Sequence, residues 1–208
     1  MKAILAADMV IAIVASGTEQ TGLDSRERAI ETAASLFAGQ GFVATGLTQV
    51  ISESGTPKGS FYFNFPGGKE ELGVEALRRA GLRLSEAITI LSRGADSPIG
   101  FLRALVDALA AGLEASNYAQ GCPIATVALE TANSSESMRQ AARSQFEDWE
   151  KAISAGLAGS DPPSKHDLVV ASEVLMLLEG ALLMAKVRRE TDPVRSLVPT
   201  FEKLLLRR

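Results

Sequence analysis

Between Thr45 and Tyr62 the chain gathers four hydroxyl-bearing residues of use to an acidic polymer, an ammonium group and a phenol. Thr45 and Thr48 bracket the start of one short helical stretch, where hydroxyls and unpaired backbone N–H groups can donate to a phosphate oxygen. Thr56, Pro57, Lys58, Gly59 and Ser60 open a second stretch. Lys58 has the reach and the donors for the O6/N7 edge of guanine. Gly59 carries no side chain, so the backbone can come close to a groove. Tyr62 combines an apolar ring with a hydroxyl donor for phosphate. Lys69 follows at the start of a further helix and adds a cation there. Donors to phosphates position a protein on a duplex, and side chains at base edges specify sequence.

Such groups read a duplex only if short helices hold them. Leu47 to Ser54 has helical spacing, Gly55 breaks it, and Pro57 is tolerated in the first turn of the helix that follows because its missing N–H has no helical partner. This is the layout of a helix-turn-helix. Leu47, Val50, Ile51 and Phe61 read as its core and Phe65 as packing against the preceding helix. Phe63 reads the same way, as packing there rather than facing DNA, although it stays among the candidate contacts; Thr48 is open between capping its helix and touching phosphate. The preceding helix starts at Asp24-Ser25-Arg26-Glu27, a capping-box pattern, and carries Ala29, Ile30, Ala33 and Phe37 at helical spacing up to Gly39-Gln40-Gly41. A long helix is expected from Lys69 to about Ser92.

Charge argues the other way. The whole chain of 208 residues carries a formal −4, and residues 24–72 hold four cations against six carboxylates, a balance of −2. Affinity for phosphate depends on where cations sit, so the expectation is weak nonspecific binding with a shallow salt dependence.

The remainder reads as helices only. Apolar residues make up 46% and aromatics 5%, with much Ala and Leu, which favours a helical core. Ser97-Pro98 starts a helix through Phe101, Leu102, Leu105 and Leu109; Gly121-Cys122-Pro123 breaks the chain before Ile124 to Ala132. Met138, Ala142, Gln145, Trp149, Ile153 and Leu157 form another stripe. Ser164-Lys165-His166-Asp167 is a second capping box, and Asp192-Pro193 opens a last helix that Pro199 should kink. The fold class expected is all-α, divided into residues 1-23 as a mobile arm or an upstream start in place of Met9, 24-72 as the helix-turn-helix domain, and 73-208 as a helical body. Leu168 to Val187 has the length of a bilayer span, but Glu173 and Glu179 would each cost about 2.5–3.5 kcal/mol near its centre. A helix buried between subunits suits it better.

The motifs quoted above, with Pro66-Gly67-Gly68-Lys69-Glu70-Glu71-Leu72, resemble the DNA-binding domain of the TetR family of transcriptional repressors. Together with Gly121-Cys122-Pro123-Ile124 and Glu179-Gly180-Ala181-Leu182-Leu183, they are similar to the LmrA/YxaF-type branch. The resemblance implies a cytoplasmic, ligand-responsive repressor that binds a palindromic operator. Phe63 and Asn64 stand where relatives carry Tyr or His pairs, and Phe63 lacks the imidazole donor, which leaves Asn64 to replace it. It also implies a cavity in the body for a small hydrophobic, drug-like or flavonoid-like effector. Phe101, Leu105, Met138, Phe146 and Trp149 would line it, with Glu130 and Gln145 as polar groups and Cys122 either lining it or inertly buried. A palindrome needs two heads about one helical turn, ~34–36 Å, apart. Leu168, Val169, Val174, Leu175, Leu178, Leu182 and Ala185, with Phe201 of the last helix, are the expected homodimer interface.

Other classes find little material. One Cys and one His leave no disulfide and no evident zinc site, and Cys122 with His166 lacks any oxyanion motif for nucleophilic catalysis. No catalytic residues, cofactor or metal are expected. The alternative retained is a helical small-molecule or protein-binding module without sequence-specific DNA binding.

Overall fold

The computed structural model describes residues 23–206, so the expectation for the N-terminal arm lies outside the described residues. Among them every regular element is helical. In chain order the helices are α1 (Ser25–Gln40), α2 (Leu47–Glu53), α3 (Lys58–Asn64), α4 (Gly68–Gly94), α5 (Pro98–Ala115), α6 (Pro123–Thr131), α7 (Glu136–Ala158), α8 (Lys165–Arg188), α9 (Asp192–Arg195) and α10 (Val198–Leu205).

The helix ends follow local chemistry. Asp24 caps α1 by accepting from the Glu27 backbone N–H, and Ser97 caps α5 by accepting from Gly100, with Pro98 at the start of the helix. Ser164 and Asp167 form a reciprocal capping box at α8, each side chain accepting from the other's backbone N–H. The expected kink at Pro199 is instead a break. The chain leaves α9 after Arg195 and restarts as α10, with Pro199 in the first turn, where its missing N–H costs no helical bond.

The described residues group into two compact units. The head unit is the chain up to Leu82 together with Cys122–Gln145; the body unit is Arg83–Gly121 with Phe146 onward. Helices α4 and α7 therefore contribute residues to both. In the head, α1 packs against α2, α3 and α6. Its core is Ile30, Ala33, Phe37, Val50, Phe61, Phe65 and Leu72, each at most 2% exposed. In the body, α5 and α8 pack with the short helices α9 and α10. One face of α8, running through Val170, Ala171, Val174, Leu178 and Ala185, is buried there. By length and composition α8 could cross a membrane; 44% of its most apolar window is buried inside the protein.

Candidate nucleic-acid interface

Helix α3 spans only seven residues, too few to persist on propensity alone. Tertiary packing holds it. Phe61 and Phe65 are both fully buried, with ring centroids 5.1 Å apart, and the Arg26 guanidinium lies 5.6 Å over the Phe65 ring. The opposite face, Lys58, Gly59, Tyr62 and Phe63, is exposed, with Ser60 and Asn64 half-buried at its flanks. These four positions are spaced as neighbours on one helical face. The Lys58 ammonium makes no hydrogen bond or ion pair among the described residues.

The turn before α3 is fixed from α1. Gly55 takes a left-handed φ of +60°, a conformation that costs residues with a side chain. The Arg28 guanidinium donates to the Ser54 carbonyl at 3.1 Å and to the Leu23 carbonyl at 2.8 Å. Thr56, expected to face DNA, is 3% exposed and its hydroxyl donates to the Ser25 carbonyl at 3.0 Å. Its side chain braces the turn instead.

Thr45 needs the same correction. It is fully buried; its hydroxyl donates to the Gly41 carbonyl at 2.6 Å and accepts from the Gln40 amide at 3.1 Å. That amide also donates to Gln49 of α2, which in turn donates to Glu53, each at 2.9 Å. The network ties the end of α1 to α2 and uses up the hydroxyl assigned to phosphate. Thr48, one turn further, is exposed. Lys69 is half-buried, its ammonium 3.4 Å from the Val43 carbonyl and 4.3 Å from the Phe42 ring centroid. Burial pulls its pKa below the usual lysine value, and the Glu130 carboxylate partly offsets this.

Three residues assigned to a ligand cavity pack within the head. Glu130, an exposed residue of α6, accepts from the Val43 N–H at 2.8 Å and steadies the turn between α1 and α2. The Met138 side chain lies over Gly73 beside the Phe42 ring, and the Gln145 side chain lies over Gly81. Cys122 is half-buried and caps α6, its sulfur accepting from the Ala125 N–H at 3.4 Å. Phe101, Leu105 and Trp149 are buried in the body, and Phe146 meets Trp149 edge-on at 5.6 Å. No group of His, Cys, Asp and Glu among the described residues could hold a metal ion.

On α8 the expected interface divides. Val174, Leu175, Leu178, Leu182 and Ala185, with Phe201 of α10, are at most 9% exposed and belong to the chain's own core. Leu168 and Val169 do face outward, joined by Met176, Leu183, Met184 and Val187, which the sequence reading passed over. A helix apolar on two sides gives periodicity no phase, so the inward and outward stripes could not be told apart beforehand.

A short recognition helix with an exposed cationic and aromatic face, locked by a buried helix-turn pair, defines a helix-turn-helix regulator. Residues 29–76 match the bacterial regulatory proteins of the TetR family, and residues 98–198 match the C-terminal domain of LmrA/YxaF-like transcriptional regulators. The HTH-type regulator LmrA of Bacillus subtilis is 29% identical over 184 residues, 88% of this chain and 98% of that protein. The HTH-type regulator Rv0196 of Mycobacterium tuberculosis is 34% identical over 188 residues, 87% of this chain and 94% of that one. The solved structure of reduced NemR from E. coli matches with a TM-score of 0.74 at 26% identity, covering 87% of this chain and 97% of that chain. The chain belongs to the TetR family of transcriptional regulators, with an LmrA/YxaF-like C-terminal domain. It has the family's all-helical fold, and the family consists of DNA-binding regulators, not enzymes.

Proposed function

We propose that this regulator is a cytoplasmic repressor. It binds a palindromic operator as a homodimer and is released by a small hydrophobic effector. Residues 24–72 act as the DNA-binding domain and 73–208 as the ligand-binding and dimerisation domain. The observation that carries the reading is the outward face of α3, where Lys58, Gly59, Tyr62 and Phe63 stand clear while Phe61 and Phe65 anchor the helix. Thr48, Pro57, Ser60, Asn64 and Lys69 flank this face as further contacts.

The outward apolar stripe on α8 supports a homodimer. Leu168, Val169, Met176, Leu183, Met184 and Val187 line up along it, with open space where a Cβ at Gly180 would stand. A second copy of α8 fits this stripe across a two-fold axis. Repression is the sign of regulation that asks least of the molecule, because a dimer seated on a promoter excludes polymerase without touching it. Effector binding in the body favours a shape in which the heads no longer match the half-site spacing. A tenfold loss of operator affinity needs about 1.4 kcal/mol of coupling.

The test is binding of the purified chain to DNA from its own upstream region at two salt concentrations, with scrambled DNA as competitor and sedimentation to give the stoichiometry. Tight binding of two chains to one palindrome is expected. Equal affinity for scrambled DNA would remove the repressor reading.

A further inference from the structure

We propose that Phe63 reads the 5-methyl group of a thymine in each operator half-site. This rests on the reading of α3 as the DNA-facing helix. Its neighbours Phe61 and Phe65 are fully buried, whereas Phe63 is 86% exposed. A single exposed apolar side chain is ordinary on a protein surface. What marks Phe63 is its setting, beside Lys58, Gly59 and Tyr62 on one face of the helix.

The chemistry of that face divides the work. Lys58 and Tyr62 bring donors for phosphate oxygens or for guanine. Phe63 brings neither donor nor acceptor, so it can take no part in a hydrogen bond to a phosphate or to a base. On the major-groove edge of the base pairs, the one apolar feature is the thymine methyl group. The ring has no retreat into the head, because Phe61 and Phe65 already fill the core on the other side of α3. Gly59, one turn before it, is exposed and has open space around its Cα, which lets the helix come close enough for the ring to reach a methyl. None of the residues on this face is a carboxylate, so nothing there repels the duplex.

The experiment selects the preferred operator from random DNA with the full chain. It then replaces each thymine by deoxyuridine, symmetrically in both half-sites, which deletes only the methyl. Burial of one such group is expected to be worth about fourfold in affinity, so the symmetric pair should cost about fifteenfold at one position of the half-site. Phe63→Ala should bind the thymine and deoxyuridine versions of that position alike, while keeping the wild-type pattern elsewhere and the wild-type melting temperature. Phe63→Leu, which keeps an apolar tip, should retain part of the methyl preference. The proposal is overturned if the wild-type scan is flat, or if Phe63→Ala keeps the same methyl dependence. It is also overturned if Phe63→Ala weakens all sequences equally, since the ring then lies on sugar and phosphate. If no sequence is enriched at all, the DNA-reading assignment of α3 falls first and the thymine contact with it.

Discussion

Replacing Thr45 by valine separates two roles that the same residue could play. Valine keeps the volume and branching of threonine, so no cavity opens; only the hydroxyl goes. In the structure that hydroxyl is fully buried, donates to the Gly41 carbonyl at 2.6 Å and accepts from the Gln40 amide at 3.1 Å. Gln40 keeps its bond to Gln49, so its loss is partial. The Gly41 carbonyl loses the threonine donor in a buried setting, a change that costs about 1–3 kcal/mol. Taking about 2 kcal/mol for the pair, and about 2–4 °C per kcal/mol for a chain of this size, the melting temperature should fall by about 4–8 °C. Operator affinity, measured well below the transition, should stay within about twofold, because the hydroxyl points into the head. Circular dichroism melting and fluorescence anisotropy on the same preparation give both numbers. An unchanged melting temperature together with a large loss of operator affinity would refute the reasoning and return Thr45 to the phosphate contacts.

Four further outcomes follow from the same geometry. Lys58→Gln should weaken operator binding by about 1–3 kcal/mol and relax discrimination at the guanine it reads, checked by titrating the operator and its single-base variants at fixed salt. Arg79→Ala removes a guanidinium 2.9 Å from Glu31, a carboxylate only 2% exposed, and should destabilise the chain by about 3 kcal/mol in urea unfolding. Gly156→Ala places a Cβ 2.6 Å from a ring carbon of the buried Phe101 and 2.9 Å from the Cβ of Ser92, so overpacking should cost about 1–3 kcal/mol in the same assay. Acid should weaken the ties at the start of α7. Hydrogen bonds from Ser135 and Ser137 hold Glu70 below its ordinary value of 4.5, and those from Arg139 and Gln140 hold Glu136 at about 2. Both folded values lie below the unfolded ones. Their stabilisation is therefore present above pH 4.5, and that of Glu136 is lost as pH falls towards about 2; NMR titration should show Glu70 returning upward in Ser137→Ala.

The helices and their starts were legible because the signals are local. Asp24, Ser97 and Ser164 are caps by chemistry, and the structure uses each of them as one. The direction in which a polar side chain points is not local. Thr45, Thr48 and Thr56 read alike in sequence, yet only Thr48 is exposed. The difference lies in α1 and the residue that ends it, since the Gly41 and Ser25 carbonyls lie within reach of the other two. Where Glu130, Met138 and Gln145 pack was illegible for a related reason. Far from α1 and α4 in sequence, they come back to pack with the head, and no periodicity within α6 or α7 announces that return. The α8 stripe failed for want of contrast, since both of its sides are apolar.

The acidic balance of residues 24–72 is resolved by where each charge is held. Asp24 caps α1, Glu27 and Glu31 face Arg79, and Glu53 accepts from Gln49. Glu70 accepts from two serines, and Glu71 from the Gly67 N–H. On the cationic side, Arg26 pairs with Glu75 and Arg28 holds the turn between α2 and α3. The six carboxylates and two of the four cations are thus engaged in building the head, and none of the carboxylates stands on the outward face of α3. What is left to meet DNA is Lys58, with Lys69 tethered beside the Val43 carbonyl. A head built this way draws little of its affinity from counterion release, so it depends on close fit at the base edges. That fit depends in turn on a seven-residue helix that exists only because Phe61 and Phe65 are buried beneath it. Damage to that aromatic pair should therefore abolish operator recognition without removing a single DNA-facing group.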